Sequence, residues 1–108
     1  MRLEIIIARG GIEMNVIDEK IIEEALNKYG VEKQLLVCME EPAELIQAIS
    51  KAERYPNDEK YIDRLIEEIA DVLICIEYLK KIYGIDQSKI EKWESKKLKR
   101  VLKRMNEV

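Results

Sequence analysis

The chain has 108 residues, of which 47% are hydrophobic and 38% are charged, as expected of one folded domain and not of a disordered chain. Its formal net charge of -3 is too small to indicate a nucleic-acid or membrane partner. The sequence contains no histidine, which excludes histidine metal ligands and histidine general bases, so a metal would need oxygen or, less favourably, sulfur ligands.

Residues 1–17 precede the first helical pattern and fit two alternatives. Residues 3–8 are rich in β-branched side chains, a Gly-Gly pair follows, and residues 12–17 alternate, which together give a weak hairpin signal. An irregular N-terminal arm is the alternative. We find no signal-peptide pattern in residues 1–8 and no apolar run long enough to cross a membrane, so we expect a cytoplasmic protein.

The second unit, residues 18–108, shows four helical patterns. Helices are expected over residues 19–29, 31–54 and 59–83, and from a cap at Asp86 or Ser88 to about residue 106. The second and third are apolar around most of their circumference, which indicates a central pair flanked by the first and fourth. We therefore predict an all-α, four-helix bundle that dimerises to cover the remaining apolar surface.

Two details of the central helices carry separate expectations. Cys38 and Cys75 each lie in an apolar run, which favours buried, reduced thiols. Pro42 lies inside the second helix, where it costs about 3 kcal/mol. We expect either a kink between Cys38 and Pro42 or a new helix that begins near Glu41.

Each central helix also carries a pair of acidic residues. Residues three or four apart share a helix face, so Glu41 and Glu44 project together, as do Glu68 and Asp71. If the helices pack antiparallel, these four carboxylates can converge on one cation, for which Mg²⁺ is the expected ion and Mn²⁺ a substitute. Ordinary solvated helix faces are the alternative, because adjacent glutamates are common.

The acidic segments resemble a known pair of motifs. Glu40-Glu41-x-x-Glu44, a spacer of about two dozen residues and Glu68-x-x-Asp71 resemble the motifs of the MazG-like, all-α nucleoside triphosphate pyrophosphohydrolases, over roughly residues 20–104. The resemblance implies that Glu41, Glu44, Glu68 and Asp71 are Mg²⁺ ligands. It also implies cleavage of a (d)NTP to (d)NMP and pyrophosphate by water attack at the α-phosphorus. Glu40 is our candidate for orienting that water.

Basic and aromatic residues supply candidate substrate contacts. Lys51 and Arg54 follow Glu44 along the second helix, and Lys97 and Arg100 belong to a basic stripe that resembles the C-terminal helix of the family. Tyr78 continues the stripe of the second acidic pair and is a candidate for stacking on the base. The alternatives are solvated helix surfaces for the four cations and core packing for Tyr78.

The sequence thus predicts a Mg²⁺-dependent nucleotide pyrophosphohydrolase, a homodimer or tetramer with a role in nucleotide-pool house-cleaning and no nucleic-acid partner. One rival is a phosphoribosyl-ATP pyrophosphohydrolase, which shares the acidic motifs. That family usually has Tyr-His after the Glu-x-x-Asp helix, whereas Asp71 is followed here by Val-Leu-Ile-Cys. The other rival is a non-catalytic helical interaction module.

Overall fold

The computed structural model describes residues 18–107, which form four helices. Helix α1 spans Glu19–Tyr29, α2 spans Val31–Arg54, α3 spans Glu59–Tyr83 and α4 spans Gln87–Met105. No strand occurs within this part of the chain. The all-α class and the four helices are confirmed there, whereas the hairpin or arm predicted for residues 1–17 lies outside the described residues.

The helix ends follow the local sequence. Asp18 and Asp58 precede α1 and α3, and each side chain accepts a hydrogen bond from the N–H two residues ahead, at 2.8 and 3.0 Å. Gly84 adopts a left-handed conformation (φ 63°) that ends α3, a conformation that costs glycine little. Asp86 and not Ser88 is the residue that precedes α4.

Helix α2 continues without interruption through Pro42. Of the two alternatives for this segment, a new helix that begins near Glu41 is therefore wrong. Because proline has no N–H, the carbonyl of Cys38 lacks its usual helical partner. The continuous helix keeps Glu41 and Glu44 on neighbouring surfaces of one rigid element.

Helices α2 and α3 form an antiparallel pair, since Cys38 contacts Cys75 whereas Glu44, later in α2, contacts Arg64, which is earlier in α3. Each helix has an inward stripe of buried or half-buried residues at alternating spacings of three and four. In α2 the inward stripe is Gln34, Cys38, Glu41, Leu45, Ala48 and Ala52. In α3 it is Tyr61, Leu65, Glu68, Val72, Cys75 and Leu79.

The pair has two unlike sides. Because the helices run in opposite directions, the residues that immediately follow each inward-stripe residue lie on one side of the pair in both helices. The residues that immediately precede each inward-stripe residue lie on the opposite side of the pair. Between Glu53 and Lys80, which lie at its two ends, the first side carries exposed apolar residues that are together called the apolar face: Met39, Ile46, Ile49, Ile62, Ile66, Ile69 and Leu73. The second, here called the polar face, includes Glu40, Glu44, Gln47, Lys51, Lys60, Arg64, Glu67 and Asp71.

Helix α4 does not join the packed part of the molecule. Among the described helices, extended packing links α1, α2 and α3 only, and no residue of α4 is buried. Lys80 Nζ and Gln87 Oε1, 2.8 Å apart, tie the end of α3 to the start of α4. Within one chain, the expectation that α4 flanks the central pair is therefore wrong, because more than half of its residues are charged and stay in water. No helix in residues 18–107 combines the length and apolarity that crossing a membrane requires.

The two thiols are free and buried between α2 and α3, as the sequence predicts. The Cys38 thiol donates to the carbonyl oxygen of Cys75 at 3.5 Å. Burial, with a smaller effect of the neighbouring Cys38 thiol, raises the pKa of Cys75 to about 12. Since the thiolate is the reactive form, we expect Cys75 to be almost entirely protonated at neutral pH.

This predicts slow thiol chemistry in the folded protein. At pH 8, iodoacetamide should modify the native thiols about 100-fold more slowly than the thiols of the guanidinium-unfolded chain. Mass spectrometry of the alkylated protein over time measures both rates. Equal rates in the native and unfolded protein would show that the two thiols are not shielded and that Cys75 is not held protonated.

Candidate metal centre

Three carboxylates meet midway along the α2–α3 pair. Glu41, Glu68 and Asp71 each place one carboxylate oxygen within 4.8 Å of the other two. Glu41 and Glu68 occupy the inward stripes of their helices, and Asp71 lies one turn after Glu68 on the polar face. The antiparallel packing therefore brings together three of the four carboxylates for which the helical spacing predicts convergence.

Glu68 is the most buried of these side chains, with 3% of its surface exposed. One carboxylate oxygen, Oε2, lies 2.9 Å from Nη2 of Arg64. The other, Oε1, is buried and has no hydrogen-bond partner among the described residues. A buried, unpartnered carboxylate oxygen is costly, so this position favours a bound cation or a proton.

The electrostatics of the cluster also favour positive charge. Burial, followed by the charges of Asp71 and Glu68, raises the pKa of Glu41. Among residues 18–107, Arg64 is the cation in direct contact with the cluster, and its single charge stands against the four carboxylates of Glu41, Glu44, Glu68 and Asp71. An all-oxygen, partly buried set with excess negative charge fits a hard divalent cation such as Mg²⁺.

Glu44, the fourth predicted ligand, lies beside the cluster and not within the group of three. Its Oε1 is 3.3 Å from Arg64 Nη2, the same nitrogen that contacts Glu68. Arg64 Nη1 also lies 3.6 Å from Glu67 Oε1. The guanidinium thus bridges carboxylates of both helices, and the ligand role of Glu44 stays a prediction.

The remaining predicted residues of α2 lie at different distances from this cluster along the helix. Glu40 is exposed on the polar face and lies outside the group of three carboxylates. Lys51 lines a cleft next to the cluster, together with Glu44 and Arg64. Arg54 does not line it; its guanidinium lies 5.9 Å from the ring centroid of Tyr55.

Tyr78 and the predicted basic residues of α4 lie outside the group of three carboxylates. Tyr78 is half-buried on α3, where burial raises its pKa. Lys97 lines a shallow apolar groove along α4 beside Trp93, and Arg100 is exposed on the same helix. The described packing of α4 therefore does not place Lys97 or Arg100 beside the cluster within one chain.

Arg64 and Lys60 are charged residues of this region that the sequence analysis missed. Arg64 precedes Glu68 by four residues and Glu67 by three, the spacings at which ion pairs form on a helix. That spacing was available in the sequence and would have placed Arg64 beside the acidic pair. No comparable pattern marks Lys60, which lines the same cleft.

Comparison of the chain with protein-family models, with curated proteins and with solved structures finds no match in any of the three. The class that fold and site define is therefore an all-α protein with a carboxylate cluster between two antiparallel helices.

Proposed function

We propose that this chain is a Mg²⁺-dependent nucleotide pyrophosphohydrolase that cleaves a nucleoside triphosphate to the monophosphate and pyrophosphate. The observation that carries the proposal is the convergence of Glu41, Glu68 and Asp71 around a buried carboxylate oxygen that has no hydrogen-bond partner in the described part of the chain. The resemblance of the acidic segments to the MazG-like motifs supports the same reading of these residues.

In this proposal Glu41, Glu68 and Asp71 hold the ion, with Glu44 as a fourth ligand once Arg64 releases it. Bound Mg²⁺ supplies charge neutralisation at the phosphate oxygens and polarises the α-phosphoryl group. Glu40 is one helical turn before Glu44 on the solvent-accessible polar face, where a carboxylate can accept a proton from the attacking water. Lys51, at the other end of the polar face, carries a charge that attracts phosphate oxygens.

Product analysis tests this function directly. Purified protein with Mg²⁺ is incubated with the common ribo- and deoxyribonucleoside triphosphates and with phosphoribosyl-ATP, and pyrophosphate and orthophosphate are measured separately. The proposal predicts release of pyrophosphate and a nucleoside monophosphate from at least one triphosphate. Turnover of phosphoribosyl-ATP alone would support the related enzyme, and no turnover with any substrate would support a non-catalytic interaction module.

We further propose that two copies of the chain associate through the apolar face. Ile46 and Ile66, one from each helix, are 68% and 58% exposed, and the rest of this face is apolar as well. A contiguous apolar surface of this kind marks an interface, and its spacing of three and four suits helix packing. Such a cytoplasmic homodimer would complete a four-helix core from two α2–α3 pairs and leave the polar face open to substrate.

The dimer proposal predicts that Ile66→Lys yields a monomer. Burying an isoleucine contributes about 1.5–3 kcal/mol, and a lysine at both symmetric copies would also carry charge into the interface. Analytical ultracentrifugation of the wild type and the variant measures the change. Ile21→Lys is the matched control, because Ile21 is 59% exposed on α1 and lies outside the apolar face. A wild type that sediments as a monomer would contradict the proposal.

A further inference from the structure

A cleft with a volume of about 290 Å³ lies on the polar face beside the carboxylate cluster. Glu44, Gln47 and Lys51 of α2 face Lys60, Tyr61 and Arg64 of α3 across it. The charged side chains that line the cleft are three cations and one carboxylate, so the cleft is basic although it borders the acidic carboxylate cluster. Anionic oxygens are the ligands that such a set of side chains recognises.

The outer end of the cleft is ordered by aromatic contacts. The rings of Tyr55 and Tyr61 stack with their centroids 4.9 Å apart, which fixes Tyr61 against the connection between α2 and α3. Lys60 Nζ lies 4.8 Å from the centroid of the Tyr61 ring. Neither Lys51 nor Lys60 has a carboxylate partner within 4.0 Å among residues 18–107, so both ammonium groups are available to a ligand.

Arg64 belongs to both the cleft and the cluster. Its guanidinium lines the cleft while Nη2 contacts Glu68 at 2.9 Å and Glu44 at 3.3 Å. Two cations repel each other, and a divalent ion on Glu68 would compete for the same negative charge that holds Arg64. With half of its side chain exposed, Arg64 can turn away from Glu68 without disturbing the helix packing.

We propose that this cleft is a phosphate subsite, and that Arg64 couples it to the metal centre. Without an anion, Arg64 competes with the metal ion for Glu44 and Glu68. With metal bound, Arg64 is released into the cleft and contacts phosphate oxygens together with Lys51 and Lys60. This inference rests on the proposed function and assigns the end of the substrate's phosphate chain to the cleft.

The coupling has a measurable sign. Because linkage is reciprocal, phosphate should tighten Mg²⁺ binding by the same factor by which Mg²⁺ tightens phosphate binding. Removal of Arg64 should have opposite effects on the two ligands taken separately. Mg²⁺ alone should bind more tightly to the variant, since its internal competitor is gone, whereas phosphate should bind more weakly.

Isothermal titration calorimetry with Mg²⁺ and inorganic phosphate as probes tests these signs. For Arg64→Gln we expect Mg²⁺ affinity without phosphate to rise about fivefold and the coupling between the two ligands to be lost. For Lys51→Gln we expect phosphate affinity to fall about fivefold or more with Mg²⁺ affinity unchanged. Lys28→Gln, an exposed change on α1, is the control for loss of one positive charge, and circular dichroism checks the helix content of each variant.

The outcomes separate this inference from the proposed function. Unchanged or weaker Mg²⁺ binding by Arg64→Gln, or unchanged phosphate binding by Lys51→Gln, would overturn the subsite and its coupling while leaving a metal-dependent hydrolase intact. A wild-type protein that binds no Mg²⁺ would remove the proposed function itself, and the coupling with it.

Discussion

Glu68→Gln is expected to reduce pyrophosphate release about 100-fold or more at saturating Mg²⁺. The substitution keeps the size of the side chain but removes the most buried charge of the cluster. Replacement of a group that only supports a metal ligand typically costs 10–100-fold, so loss of a direct ligand should cost at least the upper end of that range. The initial rate of pyrophosphate release from the preferred triphosphate measures the effect.

The neighbouring residue provides the matched control for this prediction. Glu67→Gln removes the same charge one position away, from a side chain that is 65% exposed and contacts Arg64 at 3.6 Å. Its rate should stay within about threefold of the wild type, because exposed ion pairs contribute little. If both variants lost activity equally, general electrostatics and not metal ligation would explain the loss. Full activity of Glu68→Gln would exclude Glu68 as a ligand.

Metal should stabilise the wild-type fold strongly. At a concentration 100 times its Kd, a ligand of the native state adds about 2.7 kcal/mol, and 1 kcal/mol shifts Tm by about 4–8 °C in a domain of this size. We therefore expect Mn²⁺ or Mg²⁺ to raise Tm by about 10 °C or more, and EDTA to reverse the rise. Differential scanning calorimetry measures the shift.

Glu41→Gln should separate stability from metal binding. Without metal, the variant should melt about 2–4 °C above the wild type, because the loss of one like charge relieves about 0.5 kcal/mol of repulsion. With metal, its Tm should rise little. Two results would show that Glu41 is not part of a repulsive ligand set. One is a variant Tm below that of the wild type without metal, and the other is a metal-induced rise in Tm as large as that of the wild type.

The difference in metal-free stability between Glu41→Gln and the wild type should depend on pH with a definite sign. The pKa of Glu41 is raised above its ordinary value of 4.5, first by burial and then by the charges of Asp71 and Glu68. The folded protein therefore holds this proton more tightly than the unfolded chain, and the stability gained is full below pH 4.5 and lost as pH rises through the folded-state pKa. The advantage of Glu41→Gln over the metal-free wild type should shrink as pH falls through the same range.

The helices could be predicted because their signals are local. Asp18, Asp58 and Gly84 lie where the chain caps or ends a helix, and the spacing of Glu41, Glu68 and Asp71 places them on facing surfaces once the helices pack antiparallel. Period and capping act within one or two turns, so one sequence suffices to recognise them.

Two features could not be predicted because they depend on packing. Whether α4 covers the central pair is decided by competition between its apolar residues and its many charges, and the pattern alone predicted the wrong outcome within one chain. The arrangement of Glu44 and Arg64 depends on which side chain reaches across from the opposite helix.

Direct measurement of Mn²⁺ binding tests the central claim that the carboxylates of α2 and α3 form one metal centre. Electron paramagnetic resonance reports free Mn²⁺ during a titration of the wild-type protein and of Asp71→Asn. We expect saturable binding of one Mn²⁺ per chain that Mg²⁺ displaces and that Asp71→Asn weakens at least tenfold. Equal binding by both proteins, or no binding by the wild type, would contradict the metal centre on which the proposed hydrolase depends.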